Sequence, residues 1–157
     1  MVLALAATSN RIFSSDRDEH IRISAFPDSF VIDKFLLGHQ AYVSQLVLDG
    51  KYLLSSGGDP YAVAWNWETG AELKRFNLAS ASGKPEEEVG VISAVIASNK
   101  AYFVLEDSTK VISADFPSFE NSEVVEIGEP VHSLASDGTS VYVATAGAVR
   151  KLGAEPV

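Results

Sequence analysis

The chain has 157 residues, 46% of them hydrophobic and 21% charged, which suits one globular core and excludes a disordered segment. Its formal charge is −9, the reverse of the clustered lysine and arginine with which a protein grips a phosphate backbone unaided, so any nucleic-acid contact is expected as a local patch shared with a partner. It contains no cysteine, which excludes disulfides, thiolate metal sites and cysteine nucleophiles.

The opening run MVLALAATSN is expected to form a strand and not a secretory signal, because no basic residues precede the apolar stretch and it ends at Thr8-Ser9-Asn10. No apolar window reaches the roughly 20 residues that a membrane-spanning helix needs. Turn signals then recur at Ser9-Asn10, Asp49-Gly50, Asn99-Lys100 and Asp137-Gly138, each between two short apolar runs. Such pairs read as hairpins. A third run follows each of the first three pairs, HIRIS, YAVAWNW and TKVISADF, and an outer run follows that, SFVIDKF, ELKRFNL and SEVVEIG. In each of these units an aspartate stands six positions before the aligned third-strand residue: Asp18 to Ser24, Asp59 to Trp65, Asp107 to Ser113.

Four strands per unit, repeating roughly every 40–45 residues, is the pattern of a propeller blade. The fold class is therefore all-β, with about three to four blades at 1–37, 38–78, 89–128 and 129–157. Residues 79–88 are expected to be a surface loop between blades, being small, charged and proline-containing. The fourth unit reaches VRKLGAEPV where its outer strand is due.

The second unit carries Gly38-His39, LLSSGGD and AWNWETG, and resembles a WD40 repeat with Asn66 where Trp-Asp is usual. In such a blade His39, Ser55 or Ser56, Asp59 and Trp65 are expected to form a buried hydrogen-bonded network that pins the turn between the second and third strands. Trp65 and Trp67 are read as facing opposite sides of their strand. Gly57-Gly58 reads as a relaxed turn leading to Asp59, not as a phosphate cradle.

The run SSDRDEHIRIS gathers Asp16, Arg17, Asp18, Glu19, His20 and Arg22. Because Asp18 holds the place of Asp59, the cluster is read as a tight turn in which a carboxylate accepts backbone N–H bonds. A cation loop would need ligands at regular offsets and a glycine for the bend, which this run lacks, so no metal site is assigned. The standard motifs for acyl transfer, phosphate binding, dinucleotide binding and zinc proteolysis are missing, so no catalytic residue is assigned. His39 is given a structural role, His132 a core or interface role, and His20 a solvent-facing one. Arg22, alternating with Ile21 and Ile23, is either paired with Glu19 or Asp18 in its own hairpin or is a rim charge that orients a partner.

The D-R-D-E-H-I-R-I-S run, with serine at Ser24 where ordinary WD40 repeats have tryptophan, closely resembles the WD-repeat, non-catalytic subunit family of the eukaryotic tRNA guanine-N7 methyltransferase. The close match covers about residues 1 to 78, with a generic blade pattern beyond. The resemblance implies an accessory subunit without enzymatic activity, one that binds and stabilises a separate catalytic subunit as a heterodimer and meets tRNA through the complex. It further implies a nuclear protein that needs no cofactor of its own, S-adenosylmethionine being held by the partner. The family's propeller has about seven blades, so this chain is expected to represent a segment without the N-terminal blades. Arg22, and with it Arg17, would be the partner-binding residues. The alternative is a generic WD40 scaffold of another complex, which has no evident use for Ser24 inside this run. A propeller hydrolase or lyase is disfavoured by the small neutral residues Ser44, Ser93 and Ser133 at the strand starts.

Overall fold

The computed structural model describes residues 1–153. The part of the fourth unit beyond 153 lies outside the described residues.

Four antiparallel sheets follow one another along the chain, each a meander whose strands are ordered as they occur in sequence. Blade 1 contains β1 (Val2–Ala7), β2 (Arg11–Asp16), β3 (Ile21–Ala25) and β4 (Ile32–Leu36). Blade 2 contains β5 (Val43–Asp49), β6 (Tyr52–Gly57), β7 (Tyr61–Asn66) and β8 (Ala71–Asn77). The short helix α1 (Leu78–Ser82) and a 3₁₀ turn at Glu86–Glu88 lead to blade 3, made of β9 (Val91–Ala97), β10 (Lys100–Leu105), β11 (Lys110–Asp115) and β12 (Glu123–Glu126). Blade 4 has three described strands, β13 (Val131–Ser136), β14 (Val141–Thr145) and β15 (Val149–Lys151). The fold is all-β, built of WD40-type propeller blades.

Side chains alternate across each strand, so a blade has two faces, and the apolar ones meet between neighbouring blades. Phe13, Ile21, Ile23 and Leu36 of blade 1 pack on Val43, Leu53, Val63 and Trp65 of blade 2. Leu54, Ala62 and Ala64 of blade 2 pack on Val91, Ala101, Phe103 and Ile112 of blade 3. Val104 and Val111 of blade 3 pack on Val131, Leu134, Val141 and Val143 of blade 4. The core is thus a series of junctions, each shared by two blades.

Four expectations need correction. The segment 79–88 is not a plain surface loop: α1 opens it, with Leu78 and Ala79 buried. Asn77 caps the helix by accepting the Ser80 N–H at 3.0 Å, and Gly83 ends it at φ 75°. Trp65 and Trp67 lie on one side, not two, because positions two apart on a strand share a face. Trp67, just past β7, sets its ring edge-on to Phe13 at 5.2 Å and donates its indole N–H to the Gly50 carbonyl at 2.8 Å. His132 is exposed, where a shift in the β13–β14 register between Val131 and Ser133 turns it outward.

Gly57 and Gly58 are glycine because Tyr42 comes close, its carbonyl over Gly57 and its ring over Gly58, not because the turn is relaxed. A Cβ on Gly57 would stand 2.1 Å from the Tyr42 carbonyl oxygen, and one on Gly58 would stand 2.4 Å from the Tyr42 ring. Gly58 donates its N–H to that same carbonyl at 2.9 Å. Gly57→Ala is therefore expected to cost at least about 1–3 kcal/mol, the range for overpacking a rigid site. Denaturant melts would check this, with Gly147→Ala of similar loss arguing against it, since a Cβ at Gly147 meets no atom closer than 3.6 Å.

Candidate functional site

Blade 2 holds a buried polar chain. Trp65 Nε1–H donates to Ser55 Oγ at 2.8 Å, Ser55 Oγ lies 2.7 Å from His39 Nε2, and His39 Nδ1 lies 2.8 Å from Asp59 Oδ2. An indole can only donate and a carboxylate can only accept, so with a neutral imidazole the donors run in one direction from Trp65 to Asp59. Asp59 also accepts the Gln40 N–H at 2.9 Å and the Tyr61 N–H at 3.1 Å, which ties the start of blade 2 to its β6–β7 turn. Serine, histidine and aspartate in this order are the parts of a nucleophilic triad. Here Ser55 is fully buried and its oxygen is occupied by the indole, so no substrate can reach it. The arrangement is a structural pin.

Burial pushes the Asp59 carboxyl upward, but its hydrogen bond and charge interaction with His39 and the two backbone N–H groups outweigh this and leave it below its ordinary value. The stabilisation is therefore complete above the unfolded value of 3.8 and is lost as pH falls through the lower folded value. Denaturant midpoints are expected to hold from neutral pH down to that range and then to drop. Asp59→Asn should lower the midpoint at neutral pH and make the acid drop shallower; an unchanged acid drop would place the effect elsewhere.

Blade 1 has no such chain. Its β2–β3 pairing sets Ser14 opposite Arg22 and Ile12 opposite Ser24, while blade 2 sets Ser55 opposite Val63 and Leu53 opposite Trp65. Ser24 thus stands where Trp65 does, and Arg22 where Val63 does. What fills blade 1 instead is a bridged arginine. Arg22 Nη1 donates to Asp16 Oδ2 and Nη2 to Asp18 Oδ2, both at 2.7 Å, while the guanidinium carbon lies 5.8 Å from the Phe35 ring centroid. The turn is fixed by two further bonds, Asp18 N–H to Asp16 Oδ1 at 3.0 Å and His20 N–H to Asp18 Oδ1 at 3.3 Å. Glu19 takes φ 70° at the bend. The Asp16 carboxyl is held well below the usual carboxylate range, first by hydrogen bonding shared with the Asp18 side chain, then by the Arg22 guanidinium and the Asp18 backbone N–H. The Arg22 guanidinium is correspondingly raised, chiefly by its bond to Asp16.

Asp18 therefore makes the same local turn bond as Asp59, but it is exposed and holds Arg22 at 2.7 Å, with the exposed His20 ring 3.7 Å away, where Asp59 holds a buried histidine. Arg22 pairs with Asp16 and Asp18 and not with Glu19, which the left-handed bend turns away. Arg17 projects from the same turn and, among the described residues, makes no ion pair or side-chain hydrogen bond; His20 is exposed beside it. Among the described residues no group of three or more histidine or acidic side chains is placed to share a cation. The sequence reading missed Asp16 and Phe35 as partners of Arg22. Period-two alternation carries the signal: Asp16 shares a face with Ser14, the residue opposite Arg22, and Phe35 is its neighbour across β4.

A model of the tRNA methyltransferase TRM82 WD40 domain matches residues 2–125. The tRNA (guanine-N(7)-)-methyltransferase non-catalytic subunit TRM82 of Candida glabrata is 34% identical, covering 91% of this chain and 41% of its own length. The protein of that name from Saccharomyces cerevisiae is 49% identical over 70 residues, 44% of this chain and 16% of its own length. The chain thus spans less than half the length of these curated relatives. Among solved structures, the computationally designed Ika4 protein superposes with a TM-score of 0.75 at 17% identity, covering 96% of this chain and 89% of its own. U3-55K gives 0.75 at 18% identity, covering 96% of this chain and 48% of its own. At those identities the structural likeness speaks for the propeller fold alone. The family match spans the blade 1 turn that holds Arg17 and Arg22 as well as the pinned second blade, and on that ground the chain belongs to the tRNA methyltransferase TRM82 WD40-domain family.

Proposed function

We propose that the chain acts as a non-catalytic WD-repeat subunit, binding and stabilising the separate methyltransferase subunit that forms N7-methylguanosine in tRNA. The observation that carries this reading is the match along 91% of the chain to a protein named as that subunit. The blade 1 turn supports a place for the contact. A guanidinium already bridged by Asp16 and Asp18 is pre-organised, so little side-chain freedom remains to be lost when a partner docks. Arg17, exposed on the same turn, offers the free charge that steers an acidic patch of the partner. Under this reading Arg22 shapes the turn and Arg17 reaches outward. S-adenosylmethionine and the reacting guanine belong to the catalytic subunit, tRNA is met through the heterodimer, and the complex works in the nucleus.

The test is co-expression with a tRNA guanine-N7 methyltransferase catalytic subunit, followed by size-exclusion chromatography and assay of tRNA methylation. Co-elution with raised methylation supports the subunit role. Separate elution, with methylation unchanged by adding this chain, removes it.

A further inference from the structure

Tyr42 stands at the entry to blade 2, immediately before β5, and its ring lies 2.4 Å from where a Cβ on Gly58 would be. Gly57 and Gly58 are thus kept free of side chains where this one residue crosses them. Yet Tyr42 is 44% exposed, and its hydroxyl makes no hydrogen bond among the described residues. A tyrosine that served packing alone would bury its ring and pair its hydroxyl. The junction beneath it is complete, with blade 2 on one side and blade 3 on the other, joined through Leu54, Ala62, Ala101 and Phe103.

Blade 3 brings carboxylates to the same place. The Tyr42 hydroxyl oxygen and Glu106 Oε2 lie 3.9 and 3.6 Å from the point that a Cβ on Gly90 would take, so ring and carboxylate flank one stretch of backbone. Glu106 donates its N–H to the Gly90 carbonyl at 2.8 Å, and Lys84 donates its ammonium to the Glu106 carbonyl at 3.0 Å. These two bonds fasten the segment 84–90 against the turn that follows β10. That segment carries Glu86, Glu87 and Glu88, all exposed. None of the four carboxylates has an ion pair among the described residues, and the Lys84 ammonium is bonded to a carbonyl instead. The field beside Tyr42 is therefore negative, with one cation against four anions.

We propose that Tyr42 and Glu106 form a seat for a cationic side chain, carried on an exposed basic segment of a partner protein. The cation lies over the Tyr42 ring, drawn by its quadrupole, with the Glu106 carboxylate as counter-ion. Glu86, Glu87 and Glu88 attract the basic residues beside it. Arginine suits the seat better than lysine, because its planar fork stacks on a ring and bonds a carboxylate at once. The seat shares an end of the propeller with the Arg17 turn. In an antiparallel meander the turn between the second and third strands and the segment entering a blade fall at the same end. The seat rests on the junction of blades 2 and 3 and not on the methyltransferase reading.

Titrating the isotope-labelled chain with a short capped peptide of alternating glycine and arginine, and following backbone amide shifts by NMR at low salt, tests this. Saturable shifts are expected at Gly58, Gly90 and Glu106, and none from a peptide with glutamate in place of arginine. Tyr42→Phe keeps the ring and should bind as the wild type does. Tyr42→Leu and Glu106→Gln should each weaken binding about two- to five-fold, the range for one exposed cation–π contact or one exposed ion pair. Glu123→Gln removes a negative charge on the outer strand of blade 3 and should leave the affinity unchanged. Glu106 is exposed, so Glu106→Gln decides the matter if Tyr42→Leu fails to fold. An absence of saturable shifts overturns the proposal, as does equal binding of the glutamate peptide. Equal weakening by Glu106→Gln and Glu123→Gln would mean diffuse attraction to an acidic chain, and overturns it too.

Discussion

Trp65→Ala is expected to destabilise the chain by about 3–5 kcal/mol, the range for deleting a large buried aromatic side chain. Trp65 is 2% exposed, at the junction where blade 1 meets blade 2, so the cavity would open between two sheets rather than inside one. The indole N–H is also the first donor of the chain through Ser55 and His39 to Asp59, and its loss leaves Ser55 Oγ with one partner fewer. Trp65→Phe weighs the two effects against each other: it keeps a buried aromatic ring but loses the donor together with the smaller part of the ring volume, and should cost about 1–3 kcal/mol. Urea titration of both variants measures the difference. Equal losses would mean that the hydrogen bond dominates, and a loss below about 1 kcal/mol for the alanine variant would show that the junction collapses around the gap.

Arg22→Glu is expected to abolish co-elution with the methyltransferase subunit while costing the fold much less. The substitution would set a third carboxylate beside Asp16 and Asp18, which now share the guanidinium at 2.7 Å. Like charges at such range repel, so the turn that presents Arg17 should open. The direct stability loss stays modest because the exposed Asp18 pair contributes about 0–1 kcal/mol and only the Asp16 pair, which is half-buried, adds to it. Withdrawing the Arg17 charge from a desolvated contact with the partner costs about 2–5 kcal/mol or more, which weakens binding by roughly 30-fold to several thousand-fold. Arg22→Lys refines the result. It retains the charge but cannot bridge two carboxylates with a planar fork, so partial loss would show that the shape of the turn matters as well as its sign. If Arg22→Glu lowers the denaturant midpoint and partner affinity in proportion, its role is confined to holding blade 1 together.

Much of the architecture was legible along the chain because its determinants are local. Hairpin turns such as Asp49-Gly50, the alternation in YLLSS and YAVAW, and the repeat of four strands per unit require only neighbouring residues to be recognised. The pin of blade 2 was legible for a related reason. His39, Ser55, Asp59 and Trp65 sit at fixed offsets from those turns, and a buried histidine or indole needs a partner. Helix α1 was not legible, since five residues of Leu, Ala and Ser give no helical period; a cap at Asn77 and a packing surface on blade 3 hold it instead.

The partners of Arg22 required the fold. Glu19 is as near in sequence as Asp18, but a left-handed bend turns it away, and Asp16 enters because the hairpin register stacks it beside Ser14. Exposure likewise could not be read from residue type. Val2, Val43, Val91 and Val131 are the same amino acid at equivalent strand positions, yet one is open and three are closed. Strand pattern fixes which way a side chain points, because alternation is a property of the backbone. Whether it is then buried depends on whether another sheet arrives to meet it, and that is a property of the assembled blades.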